Sequence, residues 1–171
     1  KGRLDLTRIG VFGHSTGGMT AAEACMRDPR IKACAHFDGV VNAQPVYADA
    51  RGRGPLQPFL FLEKPLPALA GEKPEEAKQR LSLLRERGNA LLTSVQRGRS
   101  YRITVEGATH STFSDEETIS DPQAARPREL LDLIRRYLRE FFDEAFTEKE
   151  SSFLKNTPLD RAVRIETFLP R

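Results

Sequence analysis

Ser15 stands in the run Arg8-Ile-Gly-Val-Phe-Gly-His-Ser-Thr-Gly-Gly18, where Gly13 and Gly17 bracket it in the pattern G-x-S-x-G. Ile9, Val11 and Phe12 read as a short buried strand, and Met19 to Met26 is rich in helix formers. A serine between a strand and a helix, in a turn tight enough to need small neighbours, has the form of a nucleophile elbow. Such a turn presents the hydroxyl at the end of the strand from a strained backbone. The N–H of Thr16, opening the helix, would face an oxyanion forming there. An ordinary glycine-rich turn can carry the same letters. The strand before, Gly18 and the helix after are what single this one out.

A serine hydroxyl attacks an acyl carbon at neutral pH only with a base beside it, and the base needs an acid to orient it. The chain has three histidines. His14 lies inside the elbow, where a structural part is expected. His36 falls within an apolar run and reads as a core histidine. His110 lies in the loop Gly107-Ala-Thr-His-Ser-Thr-Phe113, after a strand, and is the candidate base. Asp38 and Glu63 are both candidate acids, since both satisfy the order Ser…Asp/Glu…His. An Asp-Gly turn would also place an aspartate at 38, and Glu63 beside Lys64 could be a solvated carboxylate. Spacing alone does not choose between them.

The elements that must hold these groups alternate. Strands are expected near 8–12, 31–37, 58–62 and 101–105. Helices are expected after the elbow, over 75–95 with a break or cap at Gly88-Asn89, and over 128–146. The last of these carries Leu130, Leu131, Ile134, Leu138, Phe141, Phe142 and Phe146 on a 3.6-residue stripe. Loops are expected over 42–57, 64–74 and 106–125, with one helical turn near Phe153 and an extended segment over 163–168. Alternation of this kind predicts an α/β fold, a parallel sheet with helices on both faces. Active groups in such sheets gather past the carboxyl ends of the strands. Here those ends offer His14 and Ser15, Asp38, Glu63 and Lys64, and Glu106 to His110.

The stretches IGVFGHSTGG, CAHFDG and EGATHSTFSD resemble, in order and spacing, the plasma-type platelet-activating-factor acetylhydrolase branch of the α/β-hydrolases, over roughly residues 4–155. Its bacterial relatives look like esterases and lipases. The resemblance implies an α/β-hydrolase fold and an ester hydrolase needing no metal and no cofactor. It implies Ser15 as nucleophile, His110 as base and Asp38, 23 residues past the serine, as acid in preference to Glu63. Its substrates would be small-molecule or lipid-derived acyl esters. Polyesters or dienelactone-like compounds, or a non-catalytic binding module, are the alternatives. Where that branch has a bulky residue after the serine, this chain has Thr16. The fold also places several strands before the elbow, and a loop among them supplies the second oxyanion donor. Only a short lead-in stands here. By that comparison the chain is the carboxyl-terminal half of a domain, completed by a missing amino-terminal segment or by a second chain.

Composition excludes several other classes. With 171 residues, 39% hydrophobic and 30% charged, the chain can bury the core of one domain. No run approaches the ~18 apolar residues of a membrane span. A net charge of +3 is too small and dispersed for a polyanionic partner, and the RGR tripeptides at 51–53 and 97–99 lack interleaved aromatics, so no nucleic-acid partner is expected. The aromatic face of 128–146 could touch lipid weakly, but packing on the sheet accounts for it better. Cys25 and Cys34 lack metal-site spacing; they are either small buried residues or a disulfide. The compartment stays open on composition, and the resemblance leans towards a secreted or periplasmic protein.

Overall fold

In the computed structural model the described residues are 4–39, 54–155 and 162–170. The strands are β1 (Ile9–His14), β2 (Ile31–Phe37), β3 (Phe59–Glu63), β4 (Ser100–Val105) and β5 (Val163–Phe168). The helices are α1 (Thr16–Arg27), α2 (Pro74–Leu92), α3 (Glu116–Ser120), α4 (Ala125–Thr147) and α5 (Ser152–Lys155). The sheet runs in the order β1-β2-β3-β4-β5. Its first four strands are parallel, and β5 returns antiparallel to β4. The parallel sheet with flanking helices is therefore present, and the extended segment at 163–168 adds an antiparallel margin that periodicity could not orient.

The continuous apolar runs of β2 and β3 follow from burial on both faces. Alternate residues part to opposite sides, as the pleat requires. Ala33, Ala35 and Phe37 of β2, with Leu60 and Leu62 of β3, join Leu130, Ile134, Tyr137 and Phe141 of α4. Cys34, Phe59 and Phe61 turn the other way and meet Ala22 and Cys25 of α1 and Leu91 and Leu92 of α2. The stripe of α4 lies on the sheet, with Leu138, Phe142 and Phe146 partly buried against the same cluster. Gly10 lets it approach closely, because a Cβ there would run into the rings of Phe142 and Phe146.

On the α1 face, Cys25 and Cys34 are both fully buried and joined as a disulfide, their Cα atoms 6.3 Å apart. The bond ties the end of the elbow helix to the next strand, closing a short loop around the turn at Asp28-Pro29. Disulfides of this kind persist in oxidising compartments.

Two expectations fail locally. The helix α2 runs unbroken from Pro74 to Leu92, so Gly88-Asn89 is neither break nor cap. Gly88 is buried because the guanidinium of Arg102, itself 2% exposed, fills the space a Cβ would take, and Asn89 accepts a hydrogen bond from it. The polar loop after β4 also holds a 3-10 turn over Ser111–Phe113 and the helix α3. Of the proposed loop at 42–57, residues 42–53 lie outside the described residues, as does the first RGR tripeptide. In the second, Arg99 pairs with Glu144 and Glu150.

His36 is the core histidine its run predicted, fully buried between the elbow and Phe61, the two rings 4.7 Å apart. Burial pushes its imidazole down to about 4, from an ordinary value of 6.5. The folded state holds it neutral while the unfolded chain would protonate it below 6.5. Its stabilisation is whole above that pH and drains away as pH falls towards 4. The stake is about 3 kcal/mol, from the difference in proton affinity between folded and unfolded chains. Urea melts at steps across this window should show stability falling with acid in the parent protein. The fall should be much shallower in His36→Asn; parallel curves would contradict the assignment.

Candidate active site

The elbow is built from close backbone approach. Ser15 has φ 54° and ψ −122°, a conformation a non-glycine residue seldom adopts, with a cost on the order of 1–3 kcal/mol. Its N–H continues the sheet ladder by donating to the Phe37 carbonyl at 2.8 Å, and its own carbonyl accepts from Gly18 N–H at 3.0 Å. A Cβ on Gly13 would collide with the Gly17 carbonyl. One on Gly18 would lie 2.8 Å from the Gly13 carbonyl and 2.5 Å from the His36 ring. At Gly17 the same atom would meet open space. The steric demand beyond the serine therefore falls on Gly18, one place later than the motif locates it. Thr16 is exposed and is the first helical residue, so its N–H is one of those a helix start leaves without an intrahelical acceptor.

Asp38 follows β2 directly, with φ 39°, and its N–H donates to the Leu62 carbonyl at 2.8 Å. That bond seats the residue between the ends of β2 and β3 and leaves its side chain only 4% exposed. Its Oδ2 accepts from His110 Nδ1 at 2.7 Å. The same oxygen accepts from Lys64 Nζ at 2.8 Å, and Lys64 N–H donates to Oδ1 at 3.3 Å. Donation from Nδ1 leaves Nε2 of His110 as the acceptor nitrogen. Among the described residues no hydrogen bond joins His110 to Ser15, and His110 bonds through Nδ1 to Asp38.

The loop carrying His110 is fastened at both sides of the histidine. Thr109 N–H donates to Thr112 Oγ1 at 2.9 Å, and both threonine hydroxyls donate to the Glu117 carboxylate of α3, that of Thr112 at 2.8 Å. Arg135 of α4 then holds α3 through Asp115 at 2.9 Å.

His14 does more than its structural expectation. Its ring lies 4.4 Å from that of His110 and 6.4 Å from Phe113, stacked on the latter. Burial, and then the neighbouring His110, hold its imidazole below the ordinary value. Glu63, the alternative acid, is elsewhere engaged: its Oε1 lies 3.3 Å from Arg102 Nε, and burial pushes its carboxyl upward despite that cation. The structure thus brings Ser15, His14, Asp38 and His110 to one edge of the sheet and pairs Glu63 with Arg102. Glu117 was not foreseen near the site, and Lys64 was foreseen only by its place among the strand ends, with no part of its own. Lys64 had a signal, its position just past a strand end; Glu117 had none. A cavity of about 460 Å³ opens beside Asp38, lined by Lys64, Leu66, Leu81, Leu84 and Arg85 among others. Among the described residues no three metal-ligating side chains cluster.

A serine at positive φ between a parallel strand and a helix, with an aspartate–histidine pair past the following strands, defines an α/β-hydrolase. The model of one family, described as platelet-activating factor acetylhydrolase, isoform II, matches residues 1–125, and the chain belongs to that family. A ferulic acid esterase from Streptomyces cinnamoneus, solved at 2.4 Å resolution, shares the fold with a TM-score of 0.68 at 23% identity. The match covers 95% of this chain and 48% of the esterase, so the chain spans about half the length of that relative. None of the curated proteins matches it.

Removing the Glu117 carboxylate frees both threonines at once, each hydrogen bond being worth about 0.5–1.5 kcal/mol. In Glu117→Ala, amide exchange over 107–113 should quicken, with that of β2 and β3 unchanged. Unaltered exchange in the loop would mean that something else fastens it.

Proposed function

We propose that this chain carries the catalytic serine, acid and base of a carboxylic-ester hydrolase working through an acyl-enzyme. The observation that carries the reading is the 2.7 Å bond from His110 Nδ1 to the buried Asp38 carboxylate, at the sheet edge where Ser15 sits in its strained turn. Ser15 Oγ attacks the acyl carbonyl while His110 Nε2 takes its proton. Asp38 keeps the imidazole in the right tautomer and stabilises the imidazolium that forms. The oxyanion collects at Thr16 N–H, where the α1 dipole is positive. His110 then protonates the departing alcohol, and water, activated by the same nitrogen, releases the acid and frees Ser15.

The substrate class is short-chain or lipid-derived acyl esters. The name of the family, an acetylhydrolase, supports the small acyl group. The β1 margin of the sheet pairs with no other strand among the described residues, and Phe12 there is 57% exposed; a second oxyanion donor would have to reach the site from another segment. Loss of one donor costs about 10²–10³ in rate, so the isolated chain would be a weak catalyst if nothing supplied it. The buried disulfide supports an oxidising compartment.

A small fluorophosphonate tests the reading directly. Intact-mass analysis should find one adduct, abolished by Ser15→Ala and by His110→Ala. Ester hydrolysis in Ser15→Ala should fall by about 10⁴-fold or more, as it does where such a triad acts as a unit. An adduct that survives Ser15→Ala would overturn the assignment, and no adduct at all would favour a non-catalytic binding module.

A further inference from the structure

One oxygen of Asp38 carries two donors. His110 Nδ1 and Lys64 Nζ both reach Oδ2, at 2.7 and 2.8 Å, and the backbone N–H of Lys64 takes Oδ1 at 3.3 Å. A carboxylate oxygen has two lone pairs, so Oδ2 is saturated. Turning the carboxylate would break all three bonds. The Lys64 side chain is itself only 26% exposed, so its charge is less screened than that of a surface ion pair.

We propose that Lys64 is a positioning residue of the catalytic site, locking the Asp38 carboxylate and taking up part of the charge that holds His110 in its protonated form. The proposal rests on the reading of Ser15, His110 and Asp38 given above. A triad carboxylate has to orient the imidazole in the ground state and stabilise the imidazolium in the transition state. With an ammonium on the same oxygen, orientation gains while the pull on the imidazolium proton weakens. The histidine is thus held in place without being trapped in its charged form.

Other charged or titratable groups face this pair from each neighbouring element. His14 comes from β1, His36 from β2 and Glu63 from the end of β3, with Glu116 of α3 acting on His14. Both histidines are held towards neutrality by burial. The nearby guanidinium groups have carboxylates of their own: Arg102 lies against Glu63, Arg85 against Glu166 and Arg164 against Glu106. Among the described residues, Lys64 is the one lysine or arginine whose side chain bonds to Asp38.

The test is steady-state hydrolysis of a short-chain aryl ester by the full chain and its variants, across the pH range in which each stays folded. Lys64→Met should lower kcat by about tenfold, the worth of one charge-assisted hydrogen bond, and leave KM within about twofold. It should also move the acid limb of kcat/KM to higher pH, because Asp38 then holds the imidazolium more tightly. Lys64→Gln, which keeps a donor and loses the charge, should show the same displacement with a smaller loss of kcat. Lys64→Arg should recover both. Profiles that superimpose on the parent, or an arginine variant no better than methionine, would overturn the proposal while leaving the triad intact. Hydrolysis that persists in Ser15→Ala would instead remove the triad and the proposal with it.

Discussion

The contact on which this architecture turns is the approach of the Gly13 strand end to the backbone of Gly17 and Gly18. No side chain fits between them. Because the chain must reverse from strand to helix within that space, Ser15 is driven to positive φ, and its peptide N–H is left to pair with Phe37 at the end of β2. That pairing fixes where β2 stops, and the residue after it is Asp38. The N–H of Asp38 in turn meets Leu62 near the end of β3, which sets Lys64 beside the carboxylate. A steric constraint at one turn is thus passed sideways through the sheet, one backbone hydrogen bond at a time.

Burial completes what the backbone begins. His36 lies beneath the elbow, its ring filling the spaces left by the absent Cβ atoms of Gly18 and Gly39. A buried neutral histidine is a costly filler in acid, but it backs the turn with a rigid aromatic surface. On the far side of the pair, the His14 ring lies tilted against that of His110, so His110 is bordered by a ring, a carboxylate and a loop anchored by Glu117. Asp38 is sealed beneath these contacts, while Ser15 is half-buried and Thr16 exposed.

Much of this was legible in the sequence, for identifiable reasons. The runs at 31–37 and 58–62 are apolar on both faces and could only be interior strands, and the stripe of α4 had a single buried side. Residues past the strand ends were a short list, and Asp38, His110 and Lys64 were all on it. What stayed hidden depended on contacts between distant segments. Gly88 looked like a helix breaker because nothing local reveals the Arg102 guanidinium that requires it. The orientation of β5 is set by pairing with β4 across more than fifty residues of chain. Which of Asp38 and Glu63 would meet His110 depended on Arg102 as well, since that cation engages the glutamate. The pairing of Cys25 with Cys34 follows from a crossover that brings α1 back over β2, which spacing alone does not define.

The distribution of tyrosines across the two layers has a practical side. The chain has three tyrosines and no tryptophan. Tyr47 lies outside the described residues, while Tyr101 and Tyr137 are both sealed in the layer between the sheet and α4. The phenol of Tyr101 donates to the buried Glu144 carboxylate at 2.6 Å, which tunes its absorption to the integrity of that layer. Ultraviolet spectroscopy of these two rings therefore watches one side of the sheet. The elbow, His36 and the disulfide belong to the other side, which to these two chromophores is dark.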